Sequence, residues 1–259
     1  IFFRLMTPPP QVPTDPKALP LLDSVRSNVG PDAADLDDQF IGKFLKARNY
    51  NVEAASTMLK KHLVWRAENN VDNVQLEYFG ATKDRPDIHQ LYQSGFYGLD
   101  RKGNPVFVEQ PGKANVNEAF KSLGAEFMVR WHICLMETGR ATYRRHGAEG
   151  LVVILDASGV GMSHVSSAAL SFFRTVSAID QDNYPEHLVR CFIINAGRIA
   201  KYGWKLISPF LDANTKEKVR IFDGDYAEEL DSLVAKDQLP EFLGGTYRDG
   251  NCFFGAPKP

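Results

Sequence analysis

From Leu21 to about Val74 the apolar positions recur every three or four residues, the spacing of helices that each turn one face to a shared core. In LDDQFIGKFLKARNYN, Leu36, Phe40 and Phe44 follow one another at i+4 and share a face. Asn51 stands where an N-cap would, ahead of a second helix carrying Val52, Ala55, Leu59, Leu63 and Arg66. Residues 21–75 therefore read as a small helical lobe. Near Phe96 the pattern changes. GFYGLDRKGNPVFVEQ holds two short aromatic and β-branched runs around a turn-rich link, which predicts a hairpin. A long helix follows through Phe120, Leu123, Phe127, Trp131, Cys134 and Thr138, with Gly147 as its stop. Strands and helices then alternate: strand 151–155, helix 166–179, strand 191–195, helix 199–211, strand 219–222. That order predicts an α/β lobe, a sheet with helices packed on it. LVVIL and CFIIN lack polar alternation, so both faces of those strands should be covered.

Composition narrows the picture without naming a chemistry. The 259 residues are 44% hydrophobic and 24% charged, ordinary for a globular chain. A net charge of −2 argues against a general nucleic-acid binder. No apolar run approaches the ~18 residues of a membrane-spanning helix. The Pro-rich opening, 1–20, reads as a tail without a secretory cleavage pattern. Cys134, Cys191 and Cys252 are widely spaced and read as buried free thiols of a reducing compartment.

Enzyme motifs are absent or incomplete. LDASGVGMS places Gly159 and Gly161 after a strand, but Met162 or Ser163 occupies the third glycine position, and Asp180 and Asp182 are read as turn residues. No nucleophile elbow, Walker loop or zinc-helix motif is present, and no histidine has a partner at metal-ligand spacing. No catalytic residue, cofactor or metal is expected. The helix after Asn195-Ala196-Gly197 is more informative. At about 100° per residue, Arg198, Lys201, Lys205 and Ser208 form one narrow polar stripe. Ile199, Tyr202, Trp204 and Leu206, with Ile207, Phe210 and Leu211, cover an arc of roughly 200°, about twice what one core face needs. Such a helix is either wholly buried, or has two apolar clients, a cavity inside and a bilayer outside.

FLKARNYNVEAA, DNYPEHLVRCFIINAG, PFLDANTKEKV and LPEFLGG, in that order, resemble the CRAL-TRIO lipid-binding family in its phosphatidylinositol/phosphatidylcholine transfer branch, over about residues 35–250. The resemblance implies an N-terminal helical lobe (21–75) on a CRAL-TRIO lobe (76–250), followed by a short tail (251–259). The fold implied has a mixed sheet as the floor of an apolar lipid cavity. A gating helix, here 199–211, would carry Lys201, Tyr202, Trp204 and Lys205 to the membrane along with Ile199, Leu206, Ile207 and Phe210. The implied headgroup residues for phosphatidylinositol are Arg48, Glu186 and Lys218, with Asp212 and Thr215 beside them. Asn49 departs from the branch, which often has a further basic residue there. Pro185 would limit the backbone so that Glu186 stays at the strand entrance, where it can accept from inositol hydroxyls.

The same resemblance places Phe96, Phe107, Leu151 and Val153 where phosphatidylcholine binders supply hydroxyls, and puts Phe172, Val176 and Ile194 on the cavity wall. With all four hydroxyls missing, a fully apolar floor points to a second ligand other than phosphatidylcholine, such as a sterol or another isoprenoid-like lipid. A carrier of one small hydrophobe and a non-exchanging recruitment module remain the alternatives. The expected protein is a monomer, cytoplasmic and peripheral to membranes, with bound lipid as its ligand.

Overall fold

A computed structural model describes residues 14–75 and 88–247. The N-terminal lobe has three helices, α1 (Leu22–Val29), α2 (Asp38–Ala47) and α3 (Val52–Glu68). Side-chain caps set two of the starts. The Asp37 carboxylate accepts from the Phe40 amide at 2.7 Å, and the Asn51 side chain accepts from the Ala54 amide at 2.9 Å. Asn51 is thus the expected cap, while Leu36 falls just before α2. Phe40, Ile41, Phe44, Leu45, Ala55 and Leu59 are buried together among the three helices. The expected tail also contributes. From residue 14 it packs on this lobe, with Ala18 fully buried and the Tyr50 hydroxyl donating to Asp15 at 2.6 Å. The apolar residues that follow the prolines supply the burial that a free tail would lack. Residues 1–13, Cys252 and the tail 251–259 lie outside the described residues.

The larger lobe is a five-stranded sheet in the order β1 (Ser94–Leu99), β2 (Pro105–Glu109), β3 (Leu151–Asp156), β4 (Leu188–Ile194) and β5 (Val219–Ile221). β1 and β2 form the expected antiparallel hairpin, with Phe96 opposite Phe107, and the other pairs are parallel. A short α4 (Ile88–Leu91) precedes β1. Parallel neighbours need crossovers. α5 (Val116–Leu123) and α6 (Ala125–Arg145) link β2 to β3, and α7 (Ser167–Asn183) links β3 to β4. α8 (Arg198–Ile207) and α9 (Ala213–Glu217) link β4 to β5, and α10 (Ala227–Leu233) follows. Two elements differ from expectation. The long helix through Phe120 and Thr138 is broken at Gly124, whose φ of 83° is left-handed and easy only for glycine. α7 runs on past Ile179, so Asp180 and Asp182 stand on a helix rather than in a turn.

The two faces of the sheet do different things. Val106, Val108, Val152, Ile154, Phe192 and Ile194 pack with Leu230, Val234, Leu239 and Leu243 from α10 and the chain after it. Side chains alternate along a strand, so Phe107, Leu151, Val153, Cys191 and Ile193 point the other way, toward a cavity. Alternation corrects one expected cavity residue. Ile194 is fully buried in the packed face, and Ile193 takes its place on the cavity wall. Both faces are covered, as the apolar strands predict, but one cover is a core and the other a void. Among the described residues no helix is long and apolar enough to cross a membrane.

Candidate functional site

The cavity, about 950 Å³, is lined by the inner face of the sheet and by residues of α6, α7 and α8. Phe96 and Phe107 pack ring to ring at 4.9 Å on the hairpin. Leu151 and Val153 continue the wall along β3, and Phe172 and Val176 line it from α7. These six are where the sequence places them.

One end of the cavity is a polar mouth, built by the end of α2, the turn before β4, and α9. Glu186 is its centre. Its side chain is 8% exposed and accepts from Lys218 at 3.1 Å and Lys46 at 3.2 Å, with the Asn214 amide as a third donor. Burial disfavours its charge, but the Lys218 and Lys46 ammoniums outweigh that and hold the carboxyl below the usual range. Behind it the buried Lys43 ammonium donates to the Glu186 carbonyl at 2.7 Å and to the Glu149 carbonyl, and lies 5.0 Å from the centre of the Tyr143 ring. Burial pushes the Lys43 amine down to about 7. Glu186 has a φ of 56°, left-handed backbone for a non-glycine residue. Pro185 is therefore one of several restraints on it, beside the Lys43 contact and the paired lysines.

All five residues expected at the headgroup line this mouth, and only some of them touch. Glu186 meets Lys218. Asp212 and Thr215 meet each other: Asp212 caps α9, accepting from the Thr215 amide at 2.9 Å and its hydroxyl at 2.6 Å. Arg48 donates to the adjacent Ala47 carbonyl at 3.0 Å. Lys43, Lys46 and Asn214 were missed. Lys46 lies in the same Lys-Ala-Arg run as Arg48, and Lys43 interrupts the apolar stretch Phe40–Leu45; both were visible signals.

α8 forms a side wall. Trp204 and Ile207 line the cavity, and Trp204 packs with Ala157, Cys191, Ile193 and Ala196. Arg198, Lys201 and Lys205 lie exposed on another face, with Lys201 paired to Asp223. Ile199, Tyr202 and Leu206 occupy the flank beside that stripe, and Tyr202 is 47% exposed. No residue of α8 is buried, which removes the wholly buried reading. Trp204, expected at the membrane, instead faces inward, because it lies close to Ile207 and Ala200 on the helix wheel. α8 stops at Ile207. A 3-10 turn, Ser208–Phe210, continues it, and the Phe210 carbonyl accepts from Gln181 at 2.8 Å.

The floor is not fully apolar, contrary to expectation. Tyr92, Glu109, His132 and Asp180 also line the cavity. The Tyr92 hydroxyl donates to Glu109, and His132 Nε2 lies 2.8 Å from Asp180 Oδ1. Burial pushes the Glu109 carboxyl up to about 7. Burial also disfavours a charged His132, yet Asp180 beside it holds its pKa above the ordinary value. The Cys191 thiol is pushed up to about 12 by burial and then by Glu109, so it is no nucleophile near neutrality. Glu109 shares a strand face with Phe107 two residues away, and that spacing was the available signal.

Residues 90–245 match the model of the CRAL/TRIO domain, and residues 24–61 match that of the CRAL/TRIO N-terminal domain. An Arabidopsis thaliana relative, phosphatidylinositol/phosphatidylcholine transfer protein SFH11, is 31% identical over 235 residues, covering 86% of this chain and 61% of its own. SEC14 cytosolic factor of Eremothecium gossypii is 31% identical over 217 residues, covering 81% of this chain and 70% of its own. The chain spans between 34% and 61% of the length of six plant relatives. The crystal structure of Sfh5 superposes with a TM-score of 0.72 at 20% identity, over 92% of this chain and 90% of that one, a likeness of fold.

Proposed function

The chain belongs to the CRAL/TRIO family, and on that premise we propose that it binds phosphatidylinositol and transfers or presents single lipids between a membrane and its internal cavity. The observation that carries this reading is the mouth, where Glu186, Lys46 and Lys218 stand over a largely apolar space big enough for acyl chains. Lysine ammoniums suit a phosphate, the Glu186 carboxylate can accept from inositol hydroxyls, and Arg48 can turn its planar fork from the Ala47 carbonyl to an anion. The names of the relatives, as transfer proteins for phosphatidylinositol and phosphatidylcholine, support lipid exchange as the activity. The chain works as a peripheral, monomeric, cytoplasmic carrier in this reading, and its second ligand is not phosphatidylcholine.

Magnitudes favour exchange over capture from water. Burying roughly 30 methylenes at about 0.8 kcal/mol each would give some 24 kcal/mol, beyond any reversible affinity. Chains that pass from bilayer to cavity stay apolar throughout, so headgroup contacts of about 1.5–3 kcal/mol each choose the lipid.

The test is loading and vesicle-to-vesicle transfer of phosphatidylinositol by Lys218→Ala, Glu186→Ala and the double variant. Loss of charged contacts predicts at least tenfold weaker loading by the double variant, with a melting temperature within a few degrees of the parent. Unchanged loading would remove the headgroup assignment. A carrier of a small hydrophobe that ignores phosphoinositide is the second reading, favoured by the polar groups inside the cavity. Lipid extraction and mass spectrometry of the purified protein separate the two.

A further inference from the structure

Tyr92, Glu109, His132 and Asp180 are polar side chains from four different segments, the turn before β1, β2, α6 and α7, and all four line one cavity. Fold stability does not call for them there. A desolvated carboxylate is destabilising unless it is paired or hydrogen-bonded, and the opposite face of the same sheet is closed by a cluster of aliphatic and aromatic side chains with no carboxylate in it. Counted as donors and acceptors, the group is unbalanced. Glu109 accepts from the Tyr92 hydroxyl, and Asp180 accepts from His132. A carboxylate offers about four lone-pair positions, so each acid keeps acceptor capacity toward the cavity, while the Tyr92 hydroxyl and His132 Nε2 are already engaged. With Glu109 able to carry a proton and His132 Nδ1 not engaged by Asp180, a ligand that completes the cluster must bring a group that both donates and accepts. It must not bring a phosphate, whose acceptor oxygens would face two acids.

We infer that this cluster is an interior subsite, separate from the mouth, that anchors the hydroxyl of a phosphate-free lipid whose apolar body fills the rest of the cavity. The inference rests on the lipid-carrier reading above and gives its second ligand a chemistry and a place. The near-neutral behaviour of Glu109 suits it, because a carboxyl that carries its proton can both donate to and accept from one hydroxyl.

The test uses matched lipid pairs in which one member lacks a free hydroxyl: 5α-cholestan-3β-ol against 5α-cholestane, and a diacylglycerol against its 3-O-acetyl derivative. Each competes with a fluorescent lipid already loaded in the full chain, and phosphatidylinositol loading is measured on the same preparation. The parent should prefer the hydroxyl member of at least one pair by tenfold or more. Glu109→Leu should reduce that preference to about twofold or less, whereas Glu109→Gln, which still accepts, should keep most of it. Because the preference is a ratio within one protein, a loss of total binding does not imitate the result. If Glu109→Leu does not fold, the parent's preference and its retention in Glu109→Gln still decide. A parent that loads phosphatidylinositol but prefers neither hydroxyl lipid overturns this inference alone, as does a preference that survives Glu109→Leu. A parent that takes up no lipid at all overturns the carrier reading with it.

Discussion

Among the described residues, five non-glycine positions have left-handed backbone, and Asn49, Tyr50 and Glu186 line the mouth while Asn195 stands just before α8. Each costs on the order of 1–2 kcal/mol for an L-residue, a strain that persists where the surroundings over-determine it. At Glu186 those surroundings are visible: Lys43 on its carbonyl, with Lys46, Lys218 and Asn214 on its carboxylate. The segment carrying Glu186 was legible as a motif. Lys43 shows in the sequence only as a charge inside an apolar stretch; its role was not legible, because its partners lie more than a hundred residues away and no local pattern encodes such a contact. Glu109 yields a separate prediction. Its carboxyl is raised from 4.5 to about 7 in the fold, so the folded state holds a proton that the unfolded chain has released. The stability this gives is fully present below about pH 4.5 and is lost as pH rises through 7. At about 1.4 kcal/mol per pH unit, it amounts to about 3 kcal/mol. Tyr92, His132, Asp180 and Cys191 face the same space, and Asp180 continues to hold His132 when Glu109 is neutralised. Between pH 5 and pH 8 the lipid-free parent should therefore lose stability relative to Glu109→Gln. Denaturant unfolding of both proteins at the two pH values checks this; parallel curves would show that Glu109 titrates normally.

At the scale of elements, α8 separates two roles that its sequence presents as one broad apolar arc. Trp204 and Ile207 close the cavity, while Tyr202 with Ile199 and Leu206 forms an outer flank beside the basic stripe. A half-buried aromatic contributes about 1–1.5 kcal/mol to closure. Trp204→Ala should then open the wall roughly tenfold more often, speeding leakage of loaded lipid while vesicle co-sedimentation stays within about twofold. Tyr202→Ala should do the reverse, lowering co-sedimentation and leaving leakage near the parent's. Stopped-flow release and sedimentation on anionic vesicles measure the two quantities; equal effects from both variants would show that the helix does not divide this way. Periodicity located this helix and its stripe but not the inward direction of Trp204, since an arc that wide leaves the rotation of the helix undetermined. The strands show the same limit. Cys191–Asn195 is recognisably a strand, yet with both faces apolar nothing in the sequence chooses Ile193 over Ile194 for the cavity, and a slip of one residue reverses every side chain.

At the scale of the molecule, the helical lobe sits against the mouth through contacts that join distant segments. Arg66 pairs with Glu137 at 2.7 Å, Lys43 donates to the Glu186 carbonyl at 2.7 Å, and Gln39 donates to the Ala148 carbonyl at 3.0 Å. The lobe was legible from its three-to-four-residue apolar spacing and the Asn51 cap; its seating was not, because that depends on pairs such as these. The seating places the charged mouth over a cavity with an acidic interior cluster, and this arrangement bears directly on cargo. Phosphatidylcholine would have to place a phosphate either at the mouth or inside. Inside, Phe96, Phe107, Leu151 and Val153 offer it no hydroxyl, and Asp180, joined by Glu109 once that carboxyl ionises, opposes its oxygens. At the mouth, Lys46 and Lys218 can receive the phosphate, but the choline has no hydroxyl to give to Glu186 as inositol does. Leaving such groups without partners costs several kcal/mol, and the loss of two charged hydrogen bonds corresponds to about a hundredfold or more. Transfer of labelled phosphatidylcholine should therefore fall at least a hundredfold below that of phosphatidylinositol, measured side by side between vesicles. Leu151→Ser with Val153→Thr should not restore it, because two new hydroxyls on β3 leave the phenylalanines of the hairpin and the carboxylate of Glu109 in place. Robust phosphatidylcholine transfer by the parent would mean that its phosphate finds donors these contacts do not supply.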